Sequence, residues 1–224
     1  MRQKLLVGLT ICVYLAAMAF GMVKKQTYTD LAGQEDYLEQ VQVGEITEDL
    51  ARIACTAMAE SLPDSPIILR VEVVGGIEHL FQADRQRAVI RQVYAGSGLE
   101  DGDEIYVFSR HWQLSLGEET NSIQRGFVNI LEVGTEYLVF AESVNEGVGA
   151  GIPSVKMYDE FLITPVFCYE ERQNAIMPIT GDSTYVSYKD VKENEFFAVS
   201  EEALQILETL KGQMLSSYPR DGME

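Results

Sequence analysis

Histidine is the side chain most often used for acid–base catalysis and metal binding, and this chain of 224 residues has only two, His79 and His111. Neither belongs to an H-E-x-x-H motif or has another ligand at a metal-binding spacing. The sequence also lacks a G-x-S-x-G motif and a local signature of a catalytic cysteine. We therefore predict a protein that is not an enzyme, with no catalytic residue, metal site or cofactor.

Catalytic groups can also come from distant positions and meet only in the folded chain. A secreted or anchored hydrolase with a dispersed active site is therefore the alternative. It requires His79 or His111 to lie within about 3 Å of a serine or a carboxylate.

The acidic segment Glu100 to Glu104 gathers oxygen ligands of the kind that calcium prefers. It lacks the EF-hand pattern, so we interpret it as a solvated turn whose backbone is set by Gly102. The glycine-rich segment 147–153 lacks the G-x-G-x-x-G spacing of a dinucleotide site.

The chain has three cysteines, and Cys12 lies inside an apolar segment, which leaves Cys55 and Cys168 as a candidate pair. In an oxidising compartment two such cysteines can form a disulfide if their Cα atoms lie within about 7 Å. Two buried free thiols are the alternative.

The formal net charge is −18, which repels phosphate backbones, so we do not expect a nucleic-acid partner. Basic and aromatic side chains nevertheless collect in one part of the chain and form a candidate binding patch: Arg87, Arg91, Tyr106, Arg110, His111 and Trp112. In the simpler interpretation, Trp112 belongs to the core and the arginines are solvated or paired with acids.

The segment Leu5 to Val23 has no charged residue and is nearly long enough to cross the roughly 30 Å hydrocarbon core of a bilayer. We favour an uncleaved single-pass anchor in residues 1–25, because Lys24 and Lys25 flank the segment as they would flank a membrane span. The alternative is a signal peptide that is cleaved near Ala19, giving a secreted protein. In both cases the remaining domain is expected outside the cytoplasm.

Residues 26–45 are polar and are predicted to be a tether, followed by a single globular domain over 46–218 and a disordered tail over 219–224. A helix is predicted from Thr47 to Ser61, with Thr47 as its N-cap. Its apolar stripe is predicted to hold Ile46, Leu50, Ile53 and Ala57.

An amphipathic C-terminal helix is predicted over 201–217, with Ser200 as its N-cap. Its buried stripe is predicted to consist of Ala203, Leu207, Leu210 and Met214.

Residues 67–142 contain short β-rich runs separated by glycine turns, without intervening helices. The predicted strands are Ile67 to Val74, Arg87 to Tyr94, Glu104 to Ser109, Phe127 to Leu131 and Glu136 to Ala141, with Gly75-Gly76 ending the first. Trp112 to Leu116 is expected to continue the third strand past a bend, and Met157 to Tyr169 to pack on the barrel in extended form. The fold class is therefore mainly β with flanking helices, in which five antiparallel strands close into a small barrel behind an N-terminal transmembrane helix.

The phrase AVIRQVYAGSGLEDGDEIYVFS, from Ala88, resembles the strand, small-residue turn and G-D-x-I strand of netrin-like domains, which share an oligonucleotide-binding-type barrel with the tissue inhibitors of metalloproteinases. The phrase VGTEYLVFA, from Val133, is similar to the glycine turn and following strand of the same family. The resemblance implies the barrel alone. The inhibitors' metal-ligating cysteine at the mature amino terminus has no counterpart near Gln26.

Together these observations predict a membrane-tethered extracytoplasmic binding module whose partner is a protein or another cell-surface ligand. A structural subunit of a membrane complex is a third hypothesis. In that case the stripe of the C-terminal helix should be exposed in the monomer.

Overall fold

The computed structural model describes residues 10, 13–21, 41–80, 83–109, 112–116, 121–145, 151–176 and 185–220, with backbone alone for 79–80, 83, 112–116 and 121–125. The chain divides into two units, Met1–Tyr37 and Leu38–Glu224, which are described separately. Most of the predicted tether, residues 26–40, lies outside these ranges.

In the first unit, residues 13–21 are helical and are named α1. Large apolar side chains of α1 are exposed, namely Val13, Tyr14, Leu15, Met18 and Phe20. Of the helices within the ranges given above, none combines the length and the apolar character needed to cross a membrane. The predicted segment Leu5 to Val23 lies partly outside those ranges.

The second unit is mainly β. Its strands are β1 (Gln42–Gly44), β2 (Ile67–Leu80), β3 (Ala83–Ala95), β4 (Glu104–Ser109), β5 (Trp112–Leu116), β6 (Asn121–Arg125), β7 (Glu136–Asn145), β8 (Ser154–Met157), β9 (Val166–Cys168) and β10 (Tyr185–Ser187). Its helices are α2 (Glu48–Ser61), a 3-10 turn (Leu62–Asp64), α3 (Tyr188–Val191) and α4 (Glu201–Ser217).

Five strands close into a barrel in the order β2-β3-β4-β8-β7, and pairing between β2 and β7 completes the ring. The prediction of a closed five-stranded barrel is therefore confirmed. Two details differ, because β8 is the fifth strand and its pairing with β4 is parallel. The segment Phe127 to Leu131 is not a strand and forms only an isolated bridge between Val128 and Phe196.

Strands β8 and β9 lie along the same side of β7 and act as two halves of one interrupted strand. Met157 is paired with Ala141, and Val166 is paired with Val139, so the intervening residues 158–165 leave the sheet and return to it. This interruption explains why the sequence between Met157 and Tyr169, which contains Pro165, has no continuous strand pattern.

The hairpin of β2 and β3 is longer than predicted, because β2 continues through Gly75 and Gly76 instead of ending there. The pairing register shifts between Val73 and Ile77, which is a β-bulge. A Cβ atom added at Gly75 would lie 3.0 Å from the Cβ of Arg87, so the missing side chain lets the two strands approach closely.

Helix α4 agrees with the prediction in its bounds, cap and buried face. The Ser200 hydroxyl accepts a hydrogen bond of 3.1 Å from the amide of Ala203, and the four stripe residues are buried. The stripe is therefore not exposed as the structural-subunit hypothesis requires.

Helix α2 has the predicted bounds but buries a different face. Its buried residues are Ala51, Ala54, Cys55 and Met58, whereas Leu50 and Ile53 are 44% and 69% exposed. The small side chains let α2 pack closely against α4. Ile46 is buried but lies before the helix, where its amide donates to the carbonyl of Phe197. Thr47 precedes the helix without a side-chain cap.

A second, four-stranded sheet has the order β10-β1-β6-β5. Strand β5 pairs with β6 as a hairpin, and β6 runs parallel to β1. Trp112 to Leu116 therefore belongs to this sheet and does not extend β4 within the barrel.

Candidate functional site

The residues of the predicted patch whose side chains the structure describes, Arg87, Arg91 and Tyr106, lie on β3 and β4. Arg87 and Tyr106 are directly opposite each other across the two strands. Arg87 and Arg91 are exposed, whereas Gln86, Ala88 and Ile90 on the same strand are buried. Strand alternation therefore directs the two arginines away from the barrel interior.

The rest of the predicted patch is not brought to this surface by described contacts. Arg110 and His111 lie outside the described residues. Trp112 begins β5 in the second sheet, and only its backbone is described. The structure therefore joins Arg87, Arg91 and Tyr106 in one region and leaves the other three residues without a described contact to them.

Acidic side chains accompany every arginine in this region. Arg91 donates to Glu72 at 2.8 Å through its Nε, and Arg87 lies 3.9 Å from Glu104. This surface, here named the charged outer face, consists of Glu72, Glu78, Arg85, Arg87, Arg91, Glu104 and Tyr106.

An aromatic ring lies within the charged outer face. The guanidinium of Arg85 is 3.7 Å from the centroid of the Tyr106 ring and also donates to Glu78 at 2.8 Å. The Tyr106 hydroxyl donates to the other oxygen of Glu78 at 3.3 Å. The arginines are therefore paired with acids, as the simpler interpretation expected. Because exposed ion pairs contribute only about 0–1 kcal/mol each, a charged partner can replace them at little cost.

The acidic turn between β3 and β4 uses its carboxylates to bind its own backbone. Asp101 accepts from the amide of Val93 at 3.0 Å, and Asp103 accepts from the amide of Glu100 at 2.9 Å. Gly102 has φ +95°, which a residue with a side chain adopts only at a cost. Within the described ranges, no group of three or more His, Cys, Asp and Glu is placed to hold a metal ion.

The chemically richest cluster is buried under α4 and was not predicted. Lys211 is ion-paired with one oxygen of Glu195 and donates to the carbonyl of Glu170 at 3.1 Å. The other oxygen of Glu195 accepts from the amide of Cys168 at 2.7 Å. Burial raises the pKa of the Glu195 carboxyl, and the Lys211 ammonium and the Cys168 amide oppose that rise.

The thiol next to this pair is not activated for nucleophilic attack. Burial raises the pKa of Cys168, and the neighbouring Glu195 carboxylate raises it further. Tyr137 is buried beside it, burial raises its pKa as well, and its hydroxyl accepts from the amide of Glu132 at 2.9 Å. Since the thiolate is the reactive form, this arrangement stabilises a packed thiol instead of a nucleophile.

Both candidate disulfide residues are buried free thiols, so Cys55 and Cys168 are not paired with each other. Cys55 lies on α2 and lines a groove of about 240 Å³ between α2 and α4, together with Thr56, Ile206 and Gln213. Burial raises the pKa of Cys55 to about 11.

One sequence signal could have revealed the buried pair. Lys211 lies four residues after Leu207 and three before Met214, inside the apolar stripe of α4. Glu195 directly precedes Phe196 and Phe197, which are both buried. A charge embedded in each of two apolar patterns indicates a buried partner for both.

The histidines required by the hydrolase alternative have no described side-chain contacts. The backbone of His79 is paired with that of Asp84 in the β2–β3 hairpin, and His111 lies outside the described residues.

Comparison with known proteins assigns neither a family nor a function to the chain. No model of a protein family matches the chain, and no curated protein matches it.

Proposed function

We propose that this protein is a membrane-tethered, extracytoplasmic binding module, and that it binds a protein or another cell-surface ligand through the charged outer face of its barrel without doing chemistry. The observation that carries the proposal is a closed barrel with an accessible surface of exchangeable ion pairs on β2, β3 and β4.

The strand order supports a barrel of the oligonucleotide-binding type. The last of the five barrel strands in the chain, β8, lies between the third, β4, and the fourth, β7, which is the Greek-key path of that fold. The netrin-like phrases fall on corresponding elements, since Ala88 to Ser109 spans β3, the acidic turn and β4. Gly134, with φ +85°, forms the turn before β7.

The charged outer face corresponds to the surface through which barrels of this type bind their ligands. They commonly use one strand face together with its adjacent loops. Arg87 and Arg91 are 45% and 43% exposed, so both guanidinium groups are accessible to a partner. A partner with acidic groups could exchange places with Glu104 and Glu72, which would give orientation as well as attraction.

The tether is proposed from the charge-free segment Leu5 to Val23 and from the exposed apolar side chains of α1. Large apolar side chains such as Leu15 and Phe20 are stabilised when lipid or protein covers them. A secreted form cleaved near Ala19 places the same domain outside the cytoplasm.

The binding proposal is tested by cross-linking on intact cells with a membrane-impermeant reagent. The wild type is compared with the double variant Arg87→Gln and Arg91→Gln, and with the control Arg52→Gln, which removes an exposed arginine paired with Glu48 on α2. We expect the cross-linked adducts to be lost in the double variant and kept in the control. Identical adducts in all three proteins would rule out the charged outer face as the binding surface.

The location is tested separately by alkaline extraction of membranes and by protease protection. We expect the chain to stay in the membrane pellet and its domain to be digested by protease added outside intact cells. A chain in the medium whose mass matches cleavage near Ala19 supports the secreted form. Recovery in the cytosolic fraction contradicts both forms.

A further inference from the structure

The segment that follows α4 lies on the barrel and does not project away from it. Tyr218, Pro219 and Arg220, here named the strap, come directly after the last helical residue, Ser217. The disordered tail was predicted to begin at Pro219, whereas Pro219 and Arg220 both make defined contacts.

Two tyrosines bind the backbone of the strap. The Tyr94 hydroxyl, at the end of β3, donates to the carbonyl of Pro219 at 2.6 Å, and the Tyr169 hydroxyl donates to the carbonyl of Tyr218 at 2.7 Å. The two hydroxyls are 3.2 Å apart. Contacts to main-chain carbonyls do not depend on the side chains of the bound segment, so this pair contributes to binding but does not select the peptide.

Side-chain contacts add selectivity at the two ends of the strap. The Tyr218 ring packs against Tyr94 and Phe140, with centroid distances of 5.2 and 5.6 Å. Arg220 lies 5.1 Å over the Tyr169 ring, and its Nε is 3.2 Å from Glu136. The cradle therefore fits an aromatic residue followed two positions later by an arginine.

We propose that this cradle is a peptide-binding site which the chain's own strap occupies, and that a partner peptide of the same chemistry, aromatic-Pro-Arg, binds there by displacing it. The cradle consists of Tyr94, Glu136, Phe140, Tyr169 and Glu170, whose carboxylate lies 3.9 Å from the Arg220 guanidinium. It shares no residue with the charged outer face, so the inference does not rest on the proposed function.

The strap is built to detach without unfolding the helix before it. Tyr218 caps α4, since its amide donates to the carbonyl of Met214 at 3.1 Å, but its φ of −131° and ψ of 68° are not helical, and proline at 219 prevents the helix from continuing. The side chain of Tyr218 and the residues after it can therefore leave while this cap stays in place. Pro219 is exposed, and Tyr218 and Arg220 are only partly buried. Because the strap is covalently attached, its effective concentration is in the millimolar range, so a partner peptide must compete with it and binds the full chain more weakly than a chain without the strap.

The test uses a fluorescent synthetic peptide with the sequence of residues 216–224 and two versions of the protein, both retaining residues 1–40 in mild detergent. One is the full chain and the other ends at Ser217. We expect the shortened chain to bind the peptide at least about tenfold more tightly than the full chain, measured by fluorescence anisotropy. The control peptide carries Tyr218→Ala and Arg220→Ala and should not bind.

A second variant tests the proposal even if the shortened chain does not fold. The full chain with Tyr218→Ala and Arg220→Ala keeps every residue of α4 and should also bind the peptide. Adding Tyr94→Phe and Tyr169→Phe to it should weaken that binding about tenfold, since both donors to the strap are removed. The proposal is overturned if folded variants bind no peptide, or if they bind the control peptide equally well. It is also overturned if both variants lose cooperative unfolding, because the strap is then an integral part of the core.

Discussion

Ion pairs between basic and acidic side chains occur both on the surface and in the interior of this molecule. On the charged outer face, the Arg91 and Glu72 side chains are 43% and 28% exposed. Under α4, the Lys211 and Glu195 side chains are 9% and 3% exposed. The chemistry of the two pairs is similar, so the difference in burial determines what each can do.

Water screens the outer pairs and competes for their charges, so they are suited to exchange with a ligand. The buried pair has no such competitor. It joins α4 to β9, because Glu195 also accepts from the amide of Cys168 on that strand. Losing one partner would leave an unpaired charge in the core. The pair is therefore expected to stabilise the packing of α4 against β9 and not to exchange with a ligand.

The largest effect is expected when Lys211 is replaced. The variant Lys211→Met keeps much of the side-chain length but leaves the Glu195 carboxylate buried without its cation. We expect the free energy of unfolding to fall by about 3–5 kcal/mol at pH 7.5, measured by urea denaturation. The loss should shrink at lower pH, because protonation of a carboxyl whose pKa is raised removes the buried charge.

Two variants separate lost pairing from lost packing. Adding Glu195→Gln to Lys211→Met removes the stranded charge, keeps an acceptor for the Cys168 amide, and should recover most of the lost stability. The control Lys192→Met removes a lysine that is 59% exposed and should change stability little. A double variant as unstable as Lys211→Met would show that packing, not charge, accounts for the loss.

A buried carboxyl for which the described residues provide no hydrogen-bond partner, that of Glu45, is expected to affect stability less than the buried ion pair and more than the exposed pairs. Both oxygens of Glu45 are buried, and neither has a hydrogen-bond partner among the described residues. Burial raises the pKa of Glu45 from 4.5 to about 7. The native state therefore binds this proton more tightly than the unfolded chain does, and its contribution to stability is lost as the pH rises from about 4.5 through 7.

Replacing Glu45 by glutamine should remove that loss. We expect Glu45→Gln to be about 2–4 kcal/mol more stable than the wild type at pH 8.5, and nearly equal to it at pH 4.5, in urea titrations at both pH values. The control Glu60→Gln, at an exposed position on α2, should follow the wild-type profile. A constant difference between Glu45→Gln and the wild type at both pH values would contradict the assignment.

The two long helices show what sequence patterns could predict and what they could not. In α4 a single apolar stripe was available, and the structure buries it. In α2 two faces competed, one with Leu50 and Ile53 and one with Ala51, Ala54 and Met58. Summed hydrophobicity favours the first face, but close packing on α4 favours small side chains, and only the tertiary structure supplies that neighbour.

The barrel was predictable for a similar reason, and only in part. Local alternation and glycine turns identify β2, β3, β4 and β7, whose pairing with one another is antiparallel. The parallel contact between β4 and β8 joins residues far apart in sequence, with the second sheet's hairpin between them. The strap was missed because its contacts depend on Tyr94 and Tyr169, which no periodicity connects to Tyr218.

The smallest effect is expected on the charged outer face. The variant Arg91→Gln should lower the free energy of unfolding by about 0.5 kcal/mol or less, because its pair with Glu72 is exposed and screened. In 1 M salt, where the Debye length is about 3 Å, even this difference should disappear, whereas the loss in Lys211→Met should persist. Urea denaturation of both variants at low and high salt measures this difference directly.

A loss above about 2 kcal/mol for Arg91→Gln at both salt concentrations would show that the ion pairs of the charged outer face also stabilise the fold, since exposed pairs do not reach that value. A ligand could then replace the acidic partners of these arginines only at a large cost in stability, and the charged outer face would be poorly suited to binding.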